Sequence, residues 1–399
     1  MENNKGTICV QGGWKPTKGE PRVLPIYQST TFKYDTSEQM GRLFDLEDSG
    51  YFYTRLQNPT NDAVASKICE LEGGAAAMLT SSGQAANFYA VFNICEAGSH
   101  FISSSNVYGG TYNLFAVTMK KMGIDVTFVD PDISPEDLEK KFRPNTKCVF
   151  GESISNPSLV VFDFEKFSKA AHAHGVPLIV DNTFPTPINC RPFEYGVDIV
   201  THSTTKYMDG HAMAVGGAIV DSGNFDWKAH ADKFPGMTEP DDSYHGIVYA
   251  EKFGKAGYIT KATAQVMRDL GSIPAPMNSF LLNVGLETLH LRMPKHCENA
   301  LKVACEAPIN IVRMCFDAIK LHKDLVDKGS RLAISDVGVG IQCLRSAILS
   351  GQQNVVININ SIKDMEYVEK VRNEVNHLVE EGVKICDEVY AKVEKALGK

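Results

Sequence analysis

The chain has 399 residues, 43% hydrophobic and 22% charged, with a formal net charge of -8. That is enough for two or three domains with sizeable cores, and without a long basic run a nucleic-acid surface has no electrostatic support. The opening MENNKGTICVQGGW lacks a basic flank followed by an apolar core, and no run of about 18 apolar residues is seen. A soluble, cytoplasmic protein with no membrane partner and a small-molecule substrate is expected. The 10 cysteines show no C-x-x-C spacing and no paired H-x-x-x-H accompanies them. This argues against a metal site or a redox dithiol and for reduced, structural thiols.

In chain order, residues 1–60 read as an N-terminal arm, irregular and polar, punctuated by Pro and Gly in GEPRVLPIYQSTTF. From about residue 60 to 220, helical patterns (AVASKICELEGG, FEKFSKAAHAHG) alternate with short apolar runs (AAMLTS, KCVFGES, PLIVDN, VGGAIV). Such alternation predicts an α/β fold, a mostly parallel sheet covered by helices. The α/β domain is assigned to 61–260, its last forty residues being a structured loop insertion rich in aromatics, Gly and Pro. Residues 261–304 are connecting helices, one of them spanning 280–304 with Pro294 kinking or dividing it. A fold break is placed near residue 304. Residues 305–399 have apolar positions at helical spacing and form an all-helical segment, with one extended run, NVVININ, at 354–360.

Ligands of parallel sheets sit at the carboxyl ends of the strands, and four such ends carry chemistry. LTSSGQAA ends a strand and opens a helix, so the N–H groups of Gly83 and Gln84 can point at an anion. SNVYGGTYN presents Tyr108 before two glycines, which suits an aromatic face lying close to the backbone over a flat ligand. PLIVDNTF places Asp181 behind four apolar residues, where an unpaired carboxylate is costly and a cationic partner or an exposed strand end is needed. THSTTKYMDGH sets Lys206 among hydroxyls just after an apolar run. Each has an ordinary structural reading, from core packing for Tyr108 to a solvated strand end for Lys206. Together, an anion cradle, an aromatic plate, an acid and an amine meet the requirements of pyridoxal phosphate.

The series YTRLQNPT, SSGQAA, VYGGTY, SNP, VDNTF and HSTTKYMDGH resembles the Cys/Met-metabolism family of pyridoxal-phosphate (PLP) enzymes over about residues 5–304, closest to its O-acetylhomoserine sulfhydrylase branch. The resemblance implies a PLP-dependent transferase of the type I fold. It assigns Lys206 as the amine that holds the cofactor, Asp181 as partner of the pyridinium nitrogen and Tyr108 as the ring-stacking side chain with a possible part in proton transfer. Gly83, Gln84, Ser203 and Thr205 would bind the phosphate, and Asn156 would lie near the ring hydroxyl. Tyr53 and Arg55 would reach the phosphate of a neighbouring subunit, which implies a homodimer or homotetramer. The implied reaction is γ-replacement on O-acetylhomoserine by sulfide or a small thiol, giving homocysteine or methionine, with γ-elimination as the alternative.

Residues 304–399 depart from that family. EAP, SDVGVG and NVVININ resemble the C-terminal half of the helical cyclodeaminase and methenyltetrahydrofolate cyclohydrolase domain. The first half of that domain has no counterpart, so no complete folate site is expected. SDVGVG also reads simply as a helix start capped by Ser335 and Asp336. In the PLP family this stretch is a domain that closes the site and supplies an arginine for the substrate carboxylate. Its replacement suggests a fusion that binds cofactor more readily than it turns over, or an inactive one. Arg292, Arg313, Arg331 and Arg345 are candidates for the lost arginine by charge alone.

Overall fold

The computed structural model describes residues 4–398 and divides into two compact units between Met293 and Pro294. In the first, seven strands form one sheet: β1 (Ala76–Thr80), β2 (His100–Ser104), β3 (Asp125–Val129), β4 (Thr146–Glu152), β5 (Leu178–Asp181), β6 (Ile199–His202) and β7 (Gly217–Asp221). Their order is β1-β7-β6-β5-β4-β2-β3. β7 runs antiparallel to both neighbours, and the remaining pairs are parallel. All four residues of β5 and of β6 are buried, as befits strands covered on both faces. Edge-on ring contacts Phe101–Phe115 and Phe115–Phe150, both with centroids 4.9 Å apart, contribute about 0.5–1.5 kcal/mol each beyond burial.

Helices position the strand ends. The arm is less irregular than its composition predicts, containing α1 (Lys5–Gln11) and α2 (Ser37–Phe44), each started by a side-chain cap, Asn4 and Thr36. Between the arm and β1 runs α3 (Pro59–Glu72). It is capped by Asn58, begun by a proline and ended by Gly73 in the left-handed region at φ 79°, the pairing that favours sharp helix limits. α4 (Gly83–Phe92) starts directly after β1, and α5 (Gly109–Asn113) after β2. α6 (Phe164–Ala173) packs beside β5. Residues 221–260 are a series of short helical turns, as expected of a structured insertion. The helix predicted for 280–304 is divided at Thr288, between α7 (Pro276–Glu287) and α8 (Leu289–Lys328), and not at Pro294.

The second unit is helical: the body of α8, α9 (Ile334–Ile359) and α10 (Met365–Ala396). The break placed near residue 304 falls inside α8, because buried positions Cys305, Ile309, Val312, Phe316 and Ile319 continue the 3–4 spacing without interruption. Pro308 leaves the carbonyl of Ala304 without its helical donor, and the side-chain amide of Asn358 donates to that carbonyl at 3.2 Å. NVVININ is accordingly helical rather than extended: Val355 and Ile359, four residues apart, are buried together. Ser335 and Asp336 lie inside the first turn of α9 and do not cap it. Gly338 of SDVGVG admits close packing, since a Cβ there would lie 2.8 Å from Val393 Cγ1. The segment Arg331–Ile359 is long and apolar enough to cross a bilayer by length and composition alone. No unbroken apolar run announces it, because Asp336, Arg345 and several amides interrupt the sequence.

Candidate active site

The carboxyl ends of β1, β2, β4, β5 and β6 lead to Gly83, Tyr108, Glu152, Asp181 and Lys206 respectively, the side of a parallel sheet where ligands bind. At the β1 end, Ser82 caps α4 by accepting from Ala85 N at 3.1 Å. Gly83 is there because nothing larger fits: an added Cβ would lie 2.5 Å from Ser203 Cβ and 2.8 Å from its Cα. The first turn of α4 is thereby pressed against the backbone of the loop after β6. Free N–H groups and the helix dipole make such a turn favourable for an anion.

Asp181 is 7% exposed. A cationic partner or an exposed strand end is expected for it from the sequence; among the described residues, neutral side chains and an amide bond the carboxylate. Asn87 Nδ2 donates to Oδ2 at 3.1 Å, and Thr183 donates to Oδ1 from both its amide, at 3.1 Å, and its hydroxyl. Thr183 Oγ1 in turn accepts from Ser203 N at 2.8 Å, linking the acid to the loop that faces Gly83. Asn87 is held by Thr201 Oγ1 and by Thr111, whose hydroxyl donates to Gln84 Oε1 at 3.0 Å. Asn87 went unnoticed in the sequence. Its only signal is its place one turn beyond Gly83, on the same face of α4.

Tyr108 is 49% exposed. Its ring lies against Gly110, where an added Cβ would come within 2.5 Å of Tyr108 Cε1, whereas at Gly109 it would meet nothing within 4 Å. Of the two glycines, the second makes the room. The Tyr108 amide donates to Glu152 Oε2 at 2.6 Å. Glu152 is 8% exposed and pairs in register with Asp181 on the neighbouring strand. Burial, and then the Asp181 charge, push its carboxyl up to about 8. Sequence reading passed over it, since GES at the end of an apolar run looks like an ordinary exit from a strand. Asn156 is half-buried, in the loop after β4.

Lys206 is exposed although Thr204, Met208 and Asp209 around it are buried, so the loop is fixed while the amine is accessible. Two charged groups missed as loop supports hold it. Asp209 Oδ2 accepts from His211 N at 3.1 Å and Met213 N at 3.0 Å. The Arg292 guanidinium donates to the carbonyls of Tyr207 (2.7 Å), Met208 (3.3 Å) and Gly285 (2.8 Å). Arg292 is therefore engaged with backbone, while Arg313 pairs with Glu374 and Arg345 with Asp387. Thr205 Oγ1 is bonded within the loop, to both the carbonyl and the amide of Gly216. Tyr53 and Arg55 contact one another, with the guanidinium 5.2 Å from the ring centroid, and Arg55 also donates to the Arg268 carbonyl. Both are exposed.

These residues fit pyridoxal phosphate. The Gly83–Ser203 approach forms a cradle that a Cβ would fill. The buried carboxylate carries only neutral donors, the aromatic ring is half-open, and an accessible amine stands on a rigid loop. Comparisons with known proteins agree. Residues 6–318 match the Cys/Met metabolism PLP-dependent enzymes, and residues 276–377 match formiminotransferase-cyclodeaminase. The chain is 46% identical to homocysteine/cysteine synthase of Kluyveromyces lactis, over 76% of this chain and 69% of that protein. With the enzyme of the same name from Saccharomyces cerevisiae it shares 47% identity over 71% of this chain and 64% of that one. A crystal structure from Campylobacter jejuni, assigned as an O-acetylhomoserine (thiol)-lyase and carrying a pyridoxyl-lysine phosphate, superposes with a TM-score of 0.73. It is 37% identical and covers 77% of this chain and 76% of its own. The chain belongs to the Cys/Met metabolism family of PLP-dependent enzymes.

Proposed function

We propose that this chain catalyses γ-replacement on O-acetylhomoserine, with sulfide or a small thiol as the incoming group and acetate as the leaving group, yielding homocysteine or methionine. The observation that carries this reading is the accessible Lys206 on a loop braced by Asp209 and Arg292, beside Asp181 and the Gly83–Ser203 cradle. Bound pyridoxal phosphate supplies the electron sink that lets protons leave the substrate's α and β carbons and the Cγ–O bond break. Gly83, Gln84, Ser203 and Thr205 would bind its phosphate, and Asn156 would lie near the ring hydroxyl. Asp181, bonded by Asn87 and Thr183, would partner the ring nitrogen. Lys206 Nζ would take the α proton and return a proton to the adjoining carbon. Tyr108 would cover the ring face, and its hydroxyl would supply a proton to the leaving group.

Tyr53 and Arg55, exposed and stacked on one another, serve the phosphate of a second copy, so the working form is a homo-oligomer of at least two chains in the cytoplasm. A second reading, a fusion that binds cofactor without turnover, is favoured by the engagement of Arg292, Arg313 and Arg345 with other partners. A bidentate arginine orients a carboxylate, and a misplaced substrate loses orders of magnitude in rate. The deciding experiment takes absorbance spectra of the purified chain with pyridoxal phosphate, alone and with O-acetylhomoserine and sulfide, and assays homocysteine in the same sample. A cofactor band absent from Lys206→Ala together with homocysteine supports the enzyme. The band without product supports the inactive fusion, and release of 2-oxobutyrate in place of homocysteine supports γ-elimination. No band overturns the cofactor reading.

A further inference from the structure

Glu152 is a costly residue where it stands. Its carboxyl is 8% exposed and in register with Asp181, so two acids meet on adjacent strands inside the protein. Neither desolvation nor like charge favours that placement, and an amide or apolar side chain would be easier to bury. What the carboxyl gains is a backbone donor from a different loop. Tyr108, which follows β2, sets its amide nitrogen 2.6 Å from Oε2.

We infer that Glu152 is a positioning residue for the cofactor site, fixing the backbone of Tyr108 from the end of β4 so that the stacking ring is held in place over the ligand. This rests on the cofactor reading given above. Glu152 itself needs no contact with the cofactor. Its carboxyl holds the amide, and the amide sets the ring. The strand that carries Glu152 is the neighbour of the strand that leads to Tyr108, so the acid ties the loop to the sheet.

The test uses the full chain, without and with pyridoxal phosphate, as wild type, Glu152→Ala and Glu152→Gln. In the cofactor-free protein, hydrogen exchange at the Tyr108 amide should rise about tenfold or more in Glu152→Ala, the effect of losing a buried acceptor. Glu152→Gln keeps one acceptor oxygen and should raise it less. The apparent Kd for pyridoxal phosphate should rise about tenfold in Glu152→Ala and less in Glu152→Gln, with the visible circular dichroism of the bound cofactor reduced in the same order. Exchange at that amide within about twofold of wild type in Glu152→Ala overturns the contact. Faster exchange with unchanged affinity and dichroism overturns the positioning role and leaves a structural one. If Glu152→Ala does not fold, Glu152→Leu, which fills more of the space without an acceptor, decides through the same readouts. A wild-type chain that takes up no pyridoxal phosphate overturns the cofactor reading and the positioning role with it, while the exchange data still show whether Glu152 holds the Tyr108 loop.

Discussion

The α/β unit buries acidic and histidine side chains, and the helical unit, among its described residues, does not. Glu72, Glu152, Asp181, Asp198, Asp209, Asp221 and His202 are all under 9% exposed in the first. Among the described residues from 294 onward, the buried positions are apolar, cysteine, glycine or proline. Burying an ionisable group costs free energy unless it is partnered, so a fold accumulates such groups where chemistry or loop control repays the cost. The helical unit shows the opposite economy: a core of Ile, Val and Phe, ion pairs on the outside, and apolar side chains left in contact with solvent, such as Met314 at 72% and Leu332 at 96% exposed. The difference locates the chemistry without reference to any relative.

The largest effect should come from the buried pair behind the site. His202 Nε2 lies 2.6 Å from Glu72 Oε1, both side chains fully buried, and Asn182 donates to the same oxygen at 3.0 Å. Glu72→Leu leaves His202 Nε2 without that partner, while Asn182 keeps the Cys190 carbonyl, and should destabilise the α/β unit by about 3–5 kcal/mol, read as a lower denaturation midpoint for that unit. A loss below about 1 kcal/mol would mean that the buried polar pair is not structural, and would weaken the contrast between the units.

Next comes the cradle. Gly83→Ala puts a methyl group within 2.9 Å of three Ser203 atoms, one of them backbone, and should cost about 1–3 kcal/mol of overpacking, roughly 5- to 150-fold if expressed as cofactor affinity. Titration of pyridoxal phosphate into the cofactor-free variant measures it. Wild-type affinity would show that α4 and the loop after β6 separate without cost.

A pH profile sharpens the comparison further. Burial pushes the carboxyls of Glu152 and Asp221 up to about 8 and about 7. Above the ordinary carboxyl range the unfolded chain has released protons that the folded protein still holds, so stability falls as pH rises from about 5 to 8. His172, raised by its bond to Asp198, also loses its stabilising contribution as pH rises. His100 opposes them only at lower pH, since burial lowers it to about 4 and its contribution is lost as pH falls from about 6.5 to 4. Between about pH 6.5 and 8 the α/β unit should therefore lose stability, and Glu152→Gln should flatten the slope. The helical unit, where bonds to lysines lower the carboxyls of Glu298 and Asp364, should not follow; a parallel decline in both units, measured by hydrogen exchange, would contradict this account.

The smallest effect belongs to the exposed pairs of the helical unit. Arg345 Nε lies 3.2 Å from Asp387 Oδ1 at the surface, and Arg345→Met should change stability by less than about 1 kcal/mol. If Arg345→Met instead abolished turnover while sparing cofactor uptake, Arg345 would be the carboxylate-binding arginine that its pairing argues against.

By itself the sequence determined the α/β class, the strand ends and most of the side chains that meet there. These are local properties: an apolar run of four or five residues ends, and a Gly, Asp, Tyr or Lys follows. The cofactor family came from six short motifs whose order along the chain is as informative as their content. Secondary structure under tertiary control was less legible. NVVININ has the β-branched composition of a strand, yet it forms the end of α9 because one face packs into the helical core and Asn358 answers the carbonyl freed by Pro308. Residue 304 looks like a boundary in composition, but hydrophobic spacing runs through it. Asn87, Glu152 and Arg292 could not be picked out as supports because each has a partner far away in the chain: Asn87 meets Asp181 across 94 residues, Glu152 meets Tyr108 across 44, and Arg292 meets Tyr207 across 85. The sequence determined which chemical groups are present at the strand ends. The tertiary structure decided which groups hold them still, because an oriented hydrogen bond between distant residues exists only after the sheet has brought them together.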